Sequence, residues 1–319
     1  MRVRLLALTV CALVFAGCGG GDTASSGGGA GKPATLKVGV IPIADVAPLY
    51  LGIKQGFFKQ EKLTIKPQPA EGGAAIVAAT VAGDDQIGFS NTTSLLIANS
   101  KNVPVKLIAQ GVAGAAKTSG AWDAVLVKKG STLTPKDLEG KTVAVNTLQN
   151  VGPLTINTAL KKRGVEYKKV KYAEIPFPEA NQALESGRVD AAWVVEPFVG
   201  QGLAAGSKPI LFPYEETTPN LTVASYFTNK QYLSQNGDVV NRFVKAMNKS
   251  LTYAQSHPDA VRKIVPTYTK IPAAAATKMK LPQWSPDIGR PTIELQAKLA
   301  KEYGFLTKEP DLNDLILKQ

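Results

Sequence analysis

From Leu36 onward, short apolar runs alternate with longer periodic stretches rich in Ala and Val, and this rhythm sets the predicted elements. Residues 36–41 (LKVGVI) pass from alternating to fully apolar, the pattern of a strand entering a core, and Pro42 ends it. The same reading gives a helix over 47–56, a strand over 63–66, a helix over 73–82, a strand over 86–89, a helix over 92–99 and a strand over 105–110. A second series follows. It holds a strand at 124–128, a turn of helix with Thr134 as N-cap and Pro135 in its first position, and a strand at 142–146. Next come a helix at 153–163 closed by Gly164, a strand at 172–175, a helix at 178–186 closed by Gly187, and a strand at 191–195. One late strand, 224–228, precedes helices at 238–256, 258–265, 272–280 and 292–303.

Strands alternating with helices predict open, parallel α/β sheets. The late strand has no sheet of its own and is expected to rejoin the first unit. The result is a two-lobed chain with two crossovers and a cleft. Lobe I takes 35–121 with 218–319, and lobe II takes 122–217.

The first residues change the picture of where such a chain works. Arg2 and Arg4 precede an apolar run, 5–16, that ends in Ala16-Gly17-Cys18. A basic start, a short apolar segment and small residues at its end predict a secretory signal peptide over 1–17. The apolar run spans only about 18 Å as a helix, too short for a hydrocarbon core of about 30 Å. The Ala-Gly-Cys ending resembles the bacterial lipobox, with Phe15 where that motif usually has Leu, and the resemblance implies lipidation of Cys18. Residues 18–34 are Gly- and Ser-rich and predict a flexible tether, with an r.m.s. span of about 20 Å. Cys11 leaves with the signal and Cys18 carries lipid, so the mature domain is expected to have no disulfide and no thiolate ligand or nucleophile.

The formal charge is +12, or +10 after loss of Arg2 and Arg4. The basic residues are scattered, densest at 161–163 and 168–171, without aromatic interleaving. Nucleic acid is therefore not an expected partner, and the excess charge is expected to face an anionic lipid surface.

Three segments carry a family resemblance. Residues 53–65 (IKQGFFKQEKLTI) resemble a G-F-F-x-x-E-x-L segment. Residues 137–145 (DLEGKTVAV) are similar to a D-L-x-G-K-x-V-A-V signature. Residues 183–191 (ALESGRVDA), running into Glu196-Pro197-Phe198, match a third. In this order they resemble the nitrate/sulfonate/taurine-type substrate-binding proteins of ABC importers, a family that also includes thiamin-pyrimidine-precursor binders. The resemblance implies a type II periplasmic-binding-protein-like fold. It further implies a monomer that takes a small molecule in its cleft, without a cofactor, and delivers it to a permease with its ATPase. Such a protein would sit on the outer face of the cytoplasmic membrane. Two alternatives share the fold: a binder that presents its ligand to a sensor, and an enzyme of the pyridoxal-phosphate-using pyrimidine-synthase type.

In open α/β sheets, ligands bind beyond the carboxyl ends of strands. Four loops qualify, and from them Asp45, Val46, Ser90, Asn91, Thr92, Asn146, Asn150, Val151 and Glu196 are the candidate ligand-binding residues. Helix capping is the plain alternative for 90–92 and for Asp45, and a structural pair with a lysine or backbone across the hinge is the alternative for Glu196. The two carboxylates disfavour an anion. No arginine lies in the four loops, so a neutral or amine-bearing molecule is favoured over an oxyanion. Enzymatic signals fail on chemistry: His257 is the one histidine, and no zinc spacing, G-x-S-x-G elbow, Walker loop or dinucleotide fingerprint occurs.

Overall fold

The structure is a computed structural model that describes residues 31–318. The expected signal peptide, Cys18 and most of the tether lie outside the described residues. The described residues fall in one compact unit.

Lobe I opens with β1 (Ala34–Val40), α1 (Ala47–Lys54), α2 (Phe57–Gln60) and β2 (Leu63–Pro69). Then come α3 (Gly73–Ala82), β3 (Ile87–Asn91), α4 (Thr92–Ser100) and β4 (Val105–Ala113). The first crossover delivers the chain to β5 (Asp123–Val127), β6 (Thr142–Val145), α5 (Val151–Lys162) and β7 (Lys171–Glu174). Lobe II continues with α6 (Phe177–Glu185), β8 (Ala191–Val195), α7 (Phe198–Ala204), β9 (Lys208–Leu211) and α8 (Pro213–Thr217). The second crossover returns it through β10 (Thr222–Asn229) to α9 (Lys230–Gln235), α10 (Gly237–Ser256), α11 (Pro258–Ile264) and α12 (Pro266–Thr269). The chain ends with α13 (Ala273–Ala276), α14 (Arg290–Glu302) and α15 (Leu312–Leu315).

Two five-stranded sheets result, in the orders β2-β1-β3-β10-β4 and β7-β6-β8-β5-β9. The late strand does rejoin the first sheet, between β3 and β4. The expectation of parallel sheets needs correction, because both are mixed. β10 runs antiparallel to β3 and β4, and β5 runs antiparallel to β8 and β9. These strands carry the chain out of one lobe's sheet or into the other's, so neither belongs to a right-handed β-α-β unit, the connection that makes neighbours parallel.

Packing explains the longest elements. Helix α10 puts Val240, Phe243, Met247, Leu251 and Ala254 on one buried stripe, at the spacing of a helix face. It lies close on α1 because residue 52 is glycine; a Cβ there would sit 2.1 Å from Ser250 Oγ. The expected helix over 272–280 shrinks to α13, since the chain leaves the helix after Ala276 and runs toward the other lobe.

Contacts of α5 with α14 and the chain after it help hold the lobes together. Leu154 of α5 packs with Ala300 of α14 and with Leu306 in a small apolar cluster, and the Thr158 and Tyr303 hydroxyls hydrogen-bond at 3.1 Å. Lys161 and Glu302 form an ion pair at the rim of this contact.

Candidate functional site

The carboxyl ends of β1, β3, β6 and β8 converge where the lobes meet. Beyond β1 the chain turns through Ile41, Ile43 and Asp45. Asn91 ends β3, Asn146 follows β6, and Trp193 and Val195 close β8. Across the gap, a Cβ on Gly72, ahead of α3, would lie 3.3 Å from Thr147 Oγ1 and 3.9 Å from Asn146 Nδ2. The two lobes thus face each other at contact distance.

Between them is a narrow cavity of about 20 Å³, room for about one water. Five of the nine residues singled out from sequence line it: Asp45, Asn91, Asn146, Asn150 and Val151. It adjoins an open groove of about 640 Å³ between the lobes, with which it shares Ile41, Ile43 and Phe177. Larger occupants therefore require the lobes to part.

Asp45 is buried, and its Oδ1 has no hydrogen-bond partner. Its peptide is fixed by Trp284, whose indole Nε1–H donates to the Asp45 carbonyl at 3.0 Å. Burial pushes its carboxyl up to about 8, so near neutrality the group is mostly the neutral acid. It is not the N-cap of α1, which starts at Ala47 after Val46 and has no side-chain cap.

The amides are held by one another. Asn91 caps α4, accepting the Ser94 N–H at 2.9 Å and donating to Ser94 Oγ at 3.0 Å. Asn150 caps α5 by accepting the Gly152 N–H at 2.9 Å, while its amide donates to Asn146 Oδ1 (2.9 Å) and Thr147 Oγ1 (2.8 Å). Capping and cavity lining thus coincide in the same side chains. Asn146 keeps its own NH₂ facing the cleft, near Gly72.

The other four candidates lie away from the cavity lining. Val46 is buried inside the turn Ala44–Val46. Thr92 ties α4 to β10, its hydroxyl donating to the Thr222 carbonyl at 2.8 Å. Ser90 turns toward α3, where a Cβ on Gly73 would meet its Oγ at 2.2 Å, and its hydroxyl has no partner. Glu196 spans the lobes: one carboxylate oxygen accepts the Gly200 N–H at 3.0 Å, the other the Lys280 N–H at 3.1 Å. Burial raises its carboxyl to about 7.

Sequence reasoning missed the aromatic walls. Phe89, Phe177, Trp193 and Tyr214 line the cavity with Ile41 and Ile43. Phe177, Trp193 and Tyr214 form a row, with ring centroids 5.4 and 5.9 Å apart. Trp193 packs close against the start of α5 because residue 152 is glycine; a Cβ there would come within 2.6 Å of the indole. Behind the wall, Trp193 Nε1 donates to Asp123 Oδ2 at 2.9 Å. Burial, then the neighbouring Glu215, push Asp123 well above the ordinary carboxylate range, and burial raises Glu215 as well. These two acids sit at the two crossovers, where Glu215 also accepts the Ala115 N–H at 2.8 Å.

The lining includes no lysine or arginine. It offers one buried acid, three amides and four aromatic rings, a set that suits a hydrogen-bond donor on a flat apolar body. Among the described residues, no group of three or more His, Cys, Asp or Glu could hold a metal ion. Nor is any helix among them long and apolar enough to cross a membrane.

Comparison with known proteins agrees with this architecture. The chain is 29% identical over 194 residues to the taurine-binding periplasmic protein of Escherichia coli, covering 60% of this chain and 57% of that one. It is 23% identical over 224 residues to the formylaminopyrimidine-binding protein of Halalkalibacterium halodurans, covering 69% and 65%. The matched stretch thus spans less than two thirds of either relative. The alkanesulfonate-binding protein of Xanthomonas axonopodis pv. citri, solved with MOPS bound, superposes with a TM-score of 0.75 at 17% identity, over 91% of this chain and all of that one. That likeness gives the fold, a periplasmic-binding-protein architecture. The profile described as "NMT1/THI5 like" matches residues 43–261, more than half of the chain and most of both lobes, and the chain belongs to that family.

Proposed function

We propose that the chain is an exported substrate-binding protein that captures a small amine-bearing organic molecule between its lobes and delivers it to an ABC importer, and that it is not an enzyme. The observation that carries this reading is Asp45: a buried carboxyl with a free oxygen, in a narrow cavity between two lobes whose lining holds no basic residue. A bare oxyanion would find no cation in that lining, whereas a protonated amine can displace the Asp45 proton and pair with the carboxylate left behind. The aromatic row would receive the flat part of such a molecule, and the amides of Asn91, Asn146 and Asn150 would orient its edge. The family and the taurine- and formylaminopyrimidine-binding relatives support the binding role.

The finer parts follow the sequence. Residues 35–121 with 218–319 form one lobe and 122–217 the other. The mature protein is a monomer held by lipid on Cys18 to the outer face of the cytoplasmic membrane, and its partner is a permease with an ATPase. Of the candidates, Asp45, Asn91, Asn146, Asn150 and Val151 are proposed to contact ligand directly. Ser90, Thr92 and Val46 support that shell, and Glu196 acts by holding the lobes closed.

A thermal-shift panel on the unit from Gly31 tests the reading. It compares planar amines such as aminopyrimidines with nitrate and with alkanesulfonates that lack an amine. A ligand at one hundred times its Kd should stabilise the fold by about 2.7 kcal/mol. Shifts with amines, lost in Asp45→Asn, are expected. Shifts confined to nitrate or amine-free sulfonates would overturn the proposed ligand class, and no shift with any compound would remove the support for capture itself.

A further inference from the structure

The excess positive charge is not spread evenly. Residues 31–121 with 218–319 carry 23 Lys and Arg against 13 Asp and Glu, whereas 122–217 carry 12 against 11. Within lobe I, one face concentrates it. Lys54 and Lys59 come from α1 and α2, Lys62 from the turn before the edge strand β2, and Lys245 and Lys249 from α10. All five are exposed. The elements are packed together: α10 lies on α1 and α2, and α2 against β2. Lys245 pairs with Glu61 at 2.7 Å, and Lys249 donates to Gln60 while lying 4.4 Å over the Phe57 ring. The acids on this face, Glu61 and Asp238, are both bound by cations, Asp238 by Arg242 at 3.0 Å. Lys54 and Lys59 have no ion-pair partner among the described residues.

The described chain also begins here. Arg242 donates to the Lys32 carbonyl at 3.1 Å and to the Glu61 carbonyl at 2.7 Å, and Ala34 N–H donates to the Lys62 carbonyl at 3.0 Å. The root of the tether expected from the sequence is therefore stitched into the basic face. That face lies at the amino ends of β1 and β2, while the cleft lies at the carboxyl end of β1. Seven strand residues separate them, about 23 Å.

We infer that this face docks on an anionic lipid surface. A lysine cluster around the root of a membrane tether is held within a Debye length of headgroups, where each cation contributes to attraction. Docked this way, the cleft points away from the bilayer, toward arriving ligand, and the domain must turn over to present its lobes to a permease. Lysines on an edge strand also guard against strand pairing. That role does not account for these five, because Lys62 precedes the strand and Lys54, Lys59, Lys245 and Lys249 lie on helices.

Co-sedimentation of the unit from Gly31 with vesicles tests the inference. Vesicles of phosphatidylcholine with 30% phosphatidylglycerol should retain it at low salt, and pure phosphatidylcholine should not. Raising the salt to about 0.5 M should release it. The variant K54E/K59E/K245E should bind at least tenfold more weakly, and K278E/K298E/K308E, elsewhere on lobe I, should bind as the parent does. Melting curves of both variants are recorded so that loss of fold is not mistaken for loss of binding. No retention by anionic vesicles, equal loss in both variants, or tighter binding to a duplex DNA than to the vesicles would overturn it.

Discussion

Glu196 in lobe II accepts a hydrogen bond from the backbone N–H of Lys280 in lobe I, at 3.1 Å. Its own carbonyl accepts the Ala44 N–H, next to Asp45, at 3.0 Å. One residue thus fastens the lobes at two points beside the cavity.

Glu196→Ala should loosen the closed form. It strands the N–H groups of Lys280 and Gly200 and should cost about 1–3 kcal/mol of stability. Small-angle scattering should show a larger radius of gyration than in the parent, and ligand affinity should fall more than tenfold through closure. An unchanged radius with unchanged affinity would remove Glu196 from both roles.

Stability should fall as pH rises from about 5 to 8.5. Asp45 and Glu196 keep their protons to about 8 and about 7, whereas an unfolded chain releases them near 4. Raised carboxyls stabilise the fold below the unfolded value and lose that contribution as pH climbs through the folded one. Each proton so held makes stability fall by about 1.4 kcal/mol per pH unit in that window. Asp123 and Glu215 act in the same direction. The lowered groups, Asp137, Glu139, Glu309 and Asp314, complete their titration below this window. A melting temperature that rises between pH 5.5 and 8.5 would contradict the assignment.

Asp123→Ala should expose the structural side of the aromatic wall. Trp193 would lose its acceptor and remain a buried, unsatisfied N–H, at a cost of about 1–3 kcal/mol. Its fluorescence should change against the background of Trp122 and Trp284. Asp123→Asn keeps an acceptor and should restore most of the signal. An identical spectrum in all three proteins would contradict the role.

Gly152→Ala should weaken binding without touching a polar group. Its methyl would push into the Trp193 ring at 2.6 Å and tilt the cavity wall. Overpacking of this kind costs about 1–3 kcal/mol. Wild-type stability in this variant would mean that the wall has slack.

The polar half of the cavity lining was legible in the sequence and the apolar half was not. Asn146, Asn150 and Val151 stand out because a loop so rich in amides follows an apolar strand, and the same chemistry that caps α5 presents them to the cleft. Trp193 sits in the run AAWVV, which reads as a buried strand, and it is one; only the assembled lobes reveal that part of it also bounds a cavity. Tyr214 follows a strand, β9, too short and too polar at Lys208 to be read as such. Glu196 reads as a strand-end residue with a lysine or backbone across the hinge as its alternative partner, and the structure supplies a backbone N–H there, but not one the sequence singles out. Lys280 falls in a stretch that looks helical, where its N–H would bond within the helix. The chain instead leaves α13 after Ala276 and brings that N–H across the lobes. The mixed direction of both sheets escaped for a related reason, since local pattern marks β5 and β10 as strands but not the way the crossovers feed them.

The most direct test of the account counts protons at Asp45. Calorimetric titration of the unit from Gly31 with a protonated planar amine, at pH 7 in buffers of different ionisation enthalpy, gives the number released on binding. Asp45 holds its proton up to about pH 8 and must give it up to pair with a cation, so close to one proton should leave. Asp45→Asn should bind at least tenfold more weakly and release none. Full affinity in Asp45→Asn, or binding with no proton released by the parent, would contradict the claim that a buried acid between the lobes selects an amine.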